Sequence, residues 1–143
     1  MHAPAIVTAS NRAGMIYTDE RRIAAASLDS VEAVDCAFFL EDGAVVAIKD
    51  GDEDPAILDS YPLGRERVEA ALHNPNAGEV LVSAAPGWEL ADLGGMHHAG
   101  GGSHGSLDAG DSEVPMLGIG IEPPARTIDV KDAMLAGVRS AVP

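Results

Sequence analysis

The sequence predicts an α/β chain, with a small β-α-β-β unit first and then two strands of a largely parallel sheet with flanking helices. Three observations carry that prediction. Hydrophobic residues make up 46% of the 143, which contradicts the low hydrophobicity of disordered chains. Short β-favouring runs alternate with stretches of helical spacing. Two runs, Glu79–Ala84 and Val114–Ile121, are apolar almost throughout, and the second has no charge at all, as expected of strands buried on both faces.

From Ala3 to Thr18 two β-favouring runs flank Ser10-Asn11-Arg12-Ala13-Gly14, a polar stretch that makes a bent strand or a small hairpin. Thr18 stands before Asp19-Glu20, and acidic residues suit the first turn of a helix. The helix runs from about Asp19 to Ser30, with Ile23, Ala26 and Leu28 turned inward. Val34 to Leu40 then reads as a strand containing both Phe residues, Asp42-Gly43 as a hairpin turn, and Ala44 to Lys49 as the return strand. Asp50-Gly51-Asp52-Glu53-Asp54-Pro55 has the acidic spacing of a calcium-loop fragment. It lacks the bidentate Glu, and Pro55 interrupts it, so it reads as a solvated turn.

Pro62 to His73 forms a short helix with Leu63, Val68 and Leu72 inward, stopped by Asn74-Pro75-Asn76-Ala77-Gly78. A boundary falls near Asp50 to Tyr61, separating residues 1–60 from residues 61–143. Beyond it come the strand Glu79–Ala84, a long connection from Pro86 to Glu113, and the strand Val114–Ile121. Last is a helix opened by Asp129, on which Val130, Met134, Val138 and Ala141 recur at helical spacing.

Charge and cysteine content narrow the function classes. With 9 basic and 23 acidic residues, the net charge is −14, so the basic surface that duplex nucleic acid or an anionic membrane requires is missing. The single Cys36 forms no internal disulfide. The Met1–Thr8 start lacks the pattern of a secretory signal, and no apolar run reaches the roughly 20 residues of a membrane span. A cytoplasmic location is the expectation. Aromatic residues are only 3%, so the core rests on Ala, Val, Ile and Leu, which bury less area per residue.

Connections as long as Pro86–Glu113 are usually functional or disordered. This one contains Gly94-Gly95-Met96-His97-His98-Ala99-Gly100-Gly101-Gly102-Ser103-His104-Gly105-Ser106-Leu107-Asp108, with three of the five histidines. Imidazole is a preferred zinc ligand, and glycines let the backbone fold tightly round an ion or a phosphate. A metal or anion site is one reading, and a solvent-exposed loop with idle histidines is the other. The loop has no cysteines for a structural zinc site and no Lys for a phosphate-binding P-loop. Gly118-Ile119-Gly120-Ile121 lacks the third glycine of a dinucleotide fingerprint and soon meets Pro123-Pro124. Adjacent His97 and His98 point oppositely on an extended backbone, which leaves His104, between Ser103 and Gly105, as the prominent candidate. Asp108 and Asp111 read as solvated or capping more readily than as extra ligands. Trp88 and Leu90 read as core packing, and His73 as a helix C-terminal cation.

The order of these features is similar to the C-terminal stretch of the alkaline phosphatase superfamily, especially its type I phosphodiesterase and nucleotide pyrophosphatase branch. Ser103-His104-Gly105 precedes the acidic Asp111-Ser112-Glu113-Val114-Pro115-Met116, then an apolar strand, then Ile128-Asp129-Val130 opening a helix. The resemblance covers roughly Glu79 to Ala141, with Ala5 to Tyr61 looking like a family insertion.

It implies the C-terminal part of an alkaline-phosphatase-like sheet and a hydrolase of phosphodiester or nucleotide pyrophosphate bonds, with two zinc-type ions clamping the attacking and leaving oxygens. By position the resemblance makes His104 one metal ligand, with Ser103 and Ser106 at most supporting the ligands from behind and His98 at the rim of the substrate pocket. The family's nucleophile motif and its Asp-His-Gly motif are absent, since no Asp is followed by His. A catalytic zinc takes about three protein ligands. The expectation is therefore a C-terminal portion that needs an N-terminal companion segment, with self-association through open sheet edges a further expectation. The alternative is a small non-catalytic module that binds a metal or a partner protein through the Gly/His-rich loop.

Overall fold

The computed structural model describes residues 5–91 and 101–141. Residues Met1–Glu113 form one compact unit and Val114–Pro143 a second.

The first unit is a six-stranded open sheet with helices on both faces. The polar stretch after Ser10 makes a two-residue hairpin turn, Asn11-Arg12, between β1 (Ile6–Ser10) and β2 (Ala13–Tyr17). A second hairpin joins β3 (Val34–Glu41) to β4 (Ala44–Lys49). Its turn residues Asp42 and Gly43 have φ of 50° and 80°, the left-handed pair that lets the turn follow the twist of its strands. The acidic stretch after Lys49 is a turn, as expected. The Asp29 carboxylate accepts the backbone N–H groups of Asp50 (2.9 Å) and Gly51 (2.8 Å), and a two-residue β5 (Asp52–Glu53) follows. A 3-10 helix over Pro55–Ser60 leads to α2 (Gly64–Leu72), and α2 to β6 (Val80–Ala84).

The strand order is β1-β2-β6-β3-β4-β5, and every pairing is antiparallel. The expectation of a largely parallel sheet is thereby corrected. β6 carries the apolar run predicted for it and all five of its residues are buried. Burial on both faces, however, comes here from helices packed over an antiparallel strand. β6 lies beyond the sequence boundary near residue 60, yet it pairs with both β2 and β3 at the centre of the sheet. The second corrected element is Val114–Ile121, which is not a strand.

Alternation along β3 builds the two cores. Cys36 and Phe38 face α2, packing with Leu58, Val68, Leu72 and Leu81, while Ala37 and Phe39 face α1 (Arg21–Asp29), packing with Ile16, Ala25, Val80 and Val82. On α1 the inward residues are Ala25 and the half-buried Ala24 and Leu28, whereas Ile23 is 59% exposed. The helix is seated by its arginines: Arg21 donates to the Leu40 carbonyl, and Arg22 pairs with Glu41 and Glu53 while lying 5.5 Å from the Phe39 ring centroid. On α2, Val68 and Leu72 are buried as expected. Leu63 instead holds the left-handed N-terminal position (φ 49°) and is exposed.

The register between β3 and β6 slips at Asp35, where Val34 and Cys36 oppose the adjacent Ala84 and Ser83. Such a bulge re-aims a side chain. The Asp35 carboxylate accepts Lys49 Nζ (2.7 Å) and the Tyr61 hydroxyl (2.6 Å), and Lys49 also donates to Tyr61 (3.1 Å). Next to it Cys36 is fully buried, and burial, together with the Asp35 charge, pushes its thiol up to about 12. Thiolate is the reactive form. At pH 8 the folded chain is therefore expected to be silent to a disulfide reagent such as Ellman's, with labelling appearing only as urea unfolds it; rapid stoichiometric labelling without denaturant would contradict this burial.

In the second unit a 3-10 turn over Thr127–Asp129 leads into α4 (Val130–Ala141), placed as Asp129 predicts. A Cβ added to Gly137 would lie 2.5 Å from Ile121 Cγ2, so the glycine admits Ile121 against the helix. Among the described residues no helix is long and apolar enough to cross a membrane.

Candidate functional site

The returning arm of the glycine-rich loop is held by two arginines from other elements. At the β1–β2 turn, Asn11 takes a left-handed backbone (φ 56°) and its carbonyl accepts the Leu90 N–H (2.7 Å). The next residue, Arg12, donates its backbone N–H to the His104 carbonyl (3.1 Å) and accepts the Ala84 N–H (3.0 Å). Its guanidinium donates to the carbonyls of Ala85 (3.1 Å) and Trp88 (3.1 Å), and to Asp111 Oδ1 (2.6 Å). One side chain thus ties the departing arm of the loop, Ala85 to Trp88, to its returning arm.

Of the two arms, Arg67 on α2 holds only the returning one. It donates to the carbonyls of Ser106 (3.1 Å) and Leu107 (3.3 Å) and to Ser112 Oγ (2.7 Å). Leu107 plugs the core beneath, and its N–H reaches the buried Ser83 hydroxyl (2.9 Å). Gly105 passes over the hairpin with φ of 115°, its absent Cβ 3.6 Å from the Ser10 carbonyl oxygen, a backbone that a side chain would strain.

Asp111 is the electrostatic centre of this clamp. Its side chain is 8% exposed and that of Arg12 is 13% exposed. Asp111 Oδ2 accepts both the Ser106 hydroxyl (2.6 Å) and the Ser106 N–H (3.2 Å). Burial alone would raise its pKa, but the Ser106 bonds and the Arg12 charge outweigh it and hold the carboxyl below its usual range. Burial lowers the pKa of Arg67, and its bonds are all to neutral acceptors. Asp108 accepts the Gly110 N–H (2.8 Å) at the start of the four-residue α3 (Ala109–Ser112). Both aspartates are therefore occupied, one as an ion-pair partner and the other as a cap.

His104 itself is exposed, and its imidazole makes no hydrogen bond among the described residues. Its neighbour Ser103 has the one buried side-chain polar atom, Oγ, that lacks a partner among them. His97 and His98 lie outside the described residues. No group of three or more His, Cys, Asp or Glu side chains among the described residues could hold a metal ion. Trp88, expected in the core, is 44% exposed, and it is its carbonyl that the structure uses.

Sequence reasoning missed Arg12 and Arg67. The available signal was the loop's own carbonyls, since buried backbone acceptors require donors. It also missed the Asp35–Lys49–Tyr61 cluster, whose three members satisfy one another. Comparison with protein-family models, with curated proteins and with solved structures gives no match.

Proposed function

We propose that the chain is the C-terminal portion of a metal-dependent hydrolase of phosphodiester or nucleotide pyrophosphate bonds, within an alkaline-phosphatase-like α/β domain. In this reading it supplies His104 as one metal ligand. The observation that supports the reading is the clamp: Arg12, Arg67, Asp111 and Gly105 fix the backbone from His104 to Ser112, and the exposed His104 ring makes no hydrogen bond among the described residues. Holding a ligand in place before the metal arrives is what a functional centre needs. Bound zinc would polarise the phosphoryl oxygen and lower the pKa of attacking water. Ser103, whose buried Oγ has no partner among the described residues, would in this reading support the ligand from beside it. In this reading the other ligands and the nucleophile come from outside these 143 residues, on a preceding stretch of the same chain or on a companion segment.

Two measurements test this. Calorimetric titration of zinc into the chain alone should show no site tighter than about 10 μM, because one imidazole is an incomplete ligand set. The assembly isolated from source cells through a tag on this chain should hydrolyse bis(p-nitrophenyl) phosphate with zinc. His104→Ala should lower that turnover by about 100-fold or more while leaving the assembly intact. Unchanged turnover in the variant overturns the assignment. Tight one-to-one zinc binding by the chain alone, lost in His104→Ala, overturns it in favour of an autonomous metal-binding module.

A further inference from the structure

The chain contains two Asp-Gly dipeptides, Asp42-Gly43 and Asp50-Gly51. Each is a two-residue turn, the first between β3 and β4 and the second between β4 and β5. Their backbones are nearly the same: φ is 50° at Asp42 and 80° at Gly43, against 53° at Asp50 and 82° at Gly51. All four residues are exposed, and a Cβ built on either glycine would meet nothing within 4 Å. They differ in one respect. The Asp29 carboxylate, at the end of α1, accepts the N–H groups of Asp50 (2.9 Å) and Gly51 (2.8 Å). The Gly43 N–H and the Asp42 carboxylate have no hydrogen-bond partner among the described residues.

An aspartyl-glycine bond carries its own chemistry. The glycine amide nitrogen attacks Cγ of the preceding aspartic acid in its acid form, unhindered because glycine has no Cβ. The N–Cγ bond forms, the Cγ–OH bond breaks, and the amide proton leaves with that hydroxyl as water. The cyclic imide then adds water at either carbonyl, giving aspartate or isoaspartate, in which the main chain runs through the side-chain carbon. One water leaves and one returns, so no oxidant or second substrate is consumed. The nucleophile is the amide nitrogen, and whatever holds its N–H slows the attack.

We propose that Asp42 is a site of spontaneous isoaspartate formation and that Asp29 protects Asp50 from the same modification. At Gly51 the attacking nitrogen must first give up a hydrogen bond to a carboxylate, and bonds to charged groups are the stronger ones. That negative charge also disfavours loss of the amide proton. At Gly43 neither restraint exists. The first turn is also the more consequential place, because Glu41 and Ala44 close it as a ladder pair, and loop length selects the turn type that fits the strands. An added main-chain atom at position 42 therefore opens the Glu41–Ala44 pair and displaces Glu41 from Arg22, one of the arginines that seat α1. The inference stands on the two turns alone and does not depend on the metal reading of His104.

The test ages the purified full chain in mildly acidic buffer and maps isoaspartate by proteolysis, chromatography and enzymatic methylation of its free carboxyl. In the folded chain isoaspartate should accumulate at Asp42 about tenfold or more faster than at Asp50. In urea the two dipeptides should react at similar rates, because it is the fold that separates them. Asp29→Ala, with its fold verified by circular dichroism, should raise the Asp50 rate to that of Asp42 and leave Asp42 unchanged. If that variant does not fold, the folded and urea-unfolded wild type still decide. The proposal is overturned if the folded chain isomerises at Asp50 as fast as at Asp42, or if Asp42 stays unmodified while the unfolded chain reacts. A bias that persists unchanged in urea also overturns it, by assigning the difference to local sequence. A folded Asp29→Ala chain in which Asp50 stays slow overturns the protective role of Asp29.

Discussion

Asp111→Ala is expected to destabilise the chain by about 3–5 kcal/mol at pH 7, the cost typical of removing one partner from a buried ion pair. Asp111 and Arg12 have side chains only 8% and 13% exposed. Removing the carboxylate leaves the guanidinium in place with only the Ala85 and Trp88 carbonyls, and leaves the Ser106 hydroxyl and N–H without their acceptor. Urea unfolding at pH 7 and again at about pH 3, below the ordinary Asp value of about 3.9, measures both the cost and its origin.

The sign follows from the direction of the shift. The folded pKa of Asp111 is depressed, so its contribution is fully present above the unfolded pKa and is lost as pH falls through the folded one. The gap between wild type and Asp111→Ala should accordingly narrow on acidification. A gap that stays constant would mean that packing, and not the ionised carboxylate, holds the loop. The same variant loosens the backbone on which His104 stands, so any zinc-dependent turnover of the assembly should fall with it.

Local features of the fold were legible where local chemistry determines them. Asp42-Gly43 specifies its hairpin because both positions need a left-handed backbone, and Asn74-Pro75 ends α2 because proline cannot continue a helix. Strand direction was not legible. The apolar run of β6 reports that both faces are covered, and that information is the same for a parallel strand as for an antiparallel one flanked by β2 and β3. Val114–Ile121 carries an equivalent pattern and yet pairs with no strand among the described residues, because periodicity describes what a segment can bury and not whether a partner is present.

The candidate site divides in the same way. Composition picks out His104, since histidine among glycines is unusual and chemically suggestive. The clamp is invisible to spacing because Arg12 and Asp111 lie 99 residues apart in the chain. The bulge that turns Asp35 towards Lys49 and Tyr61 likewise depends on the register between β3 and β6, which no single strand encodes.

Phe39→Ala should cost about 3–5 kcal/mol, a large part of the roughly 5–15 kcal/mol that stabilises an ordinary domain. Phe39 is fully buried between the sheet and α1, and it is one of only two Phe residues. Its neighbours Val46 and Val80 are fixed by ladder pairing on either side. They cannot close a cavity without breaking strands, and the Arg22 stacking contact is lost as well. Ile23→Ala is the matched control. The sequence pattern turns Ile23 inward, but in the structure it is 59% exposed while Ala25 is fully buried. Its removal should therefore change stability by no more than about 0.5 kcal/mol, helped by the higher helix propensity of alanine. Equilibrium urea denaturation of both variants decides the orientation of α1. A loss of about 2 kcal/mol or more in Ile23→Ala is the cost of emptying a buried site, and would mean that the helix sits on the sheet by the face its hydrophobic spacing predicts and not by the one its arginines select.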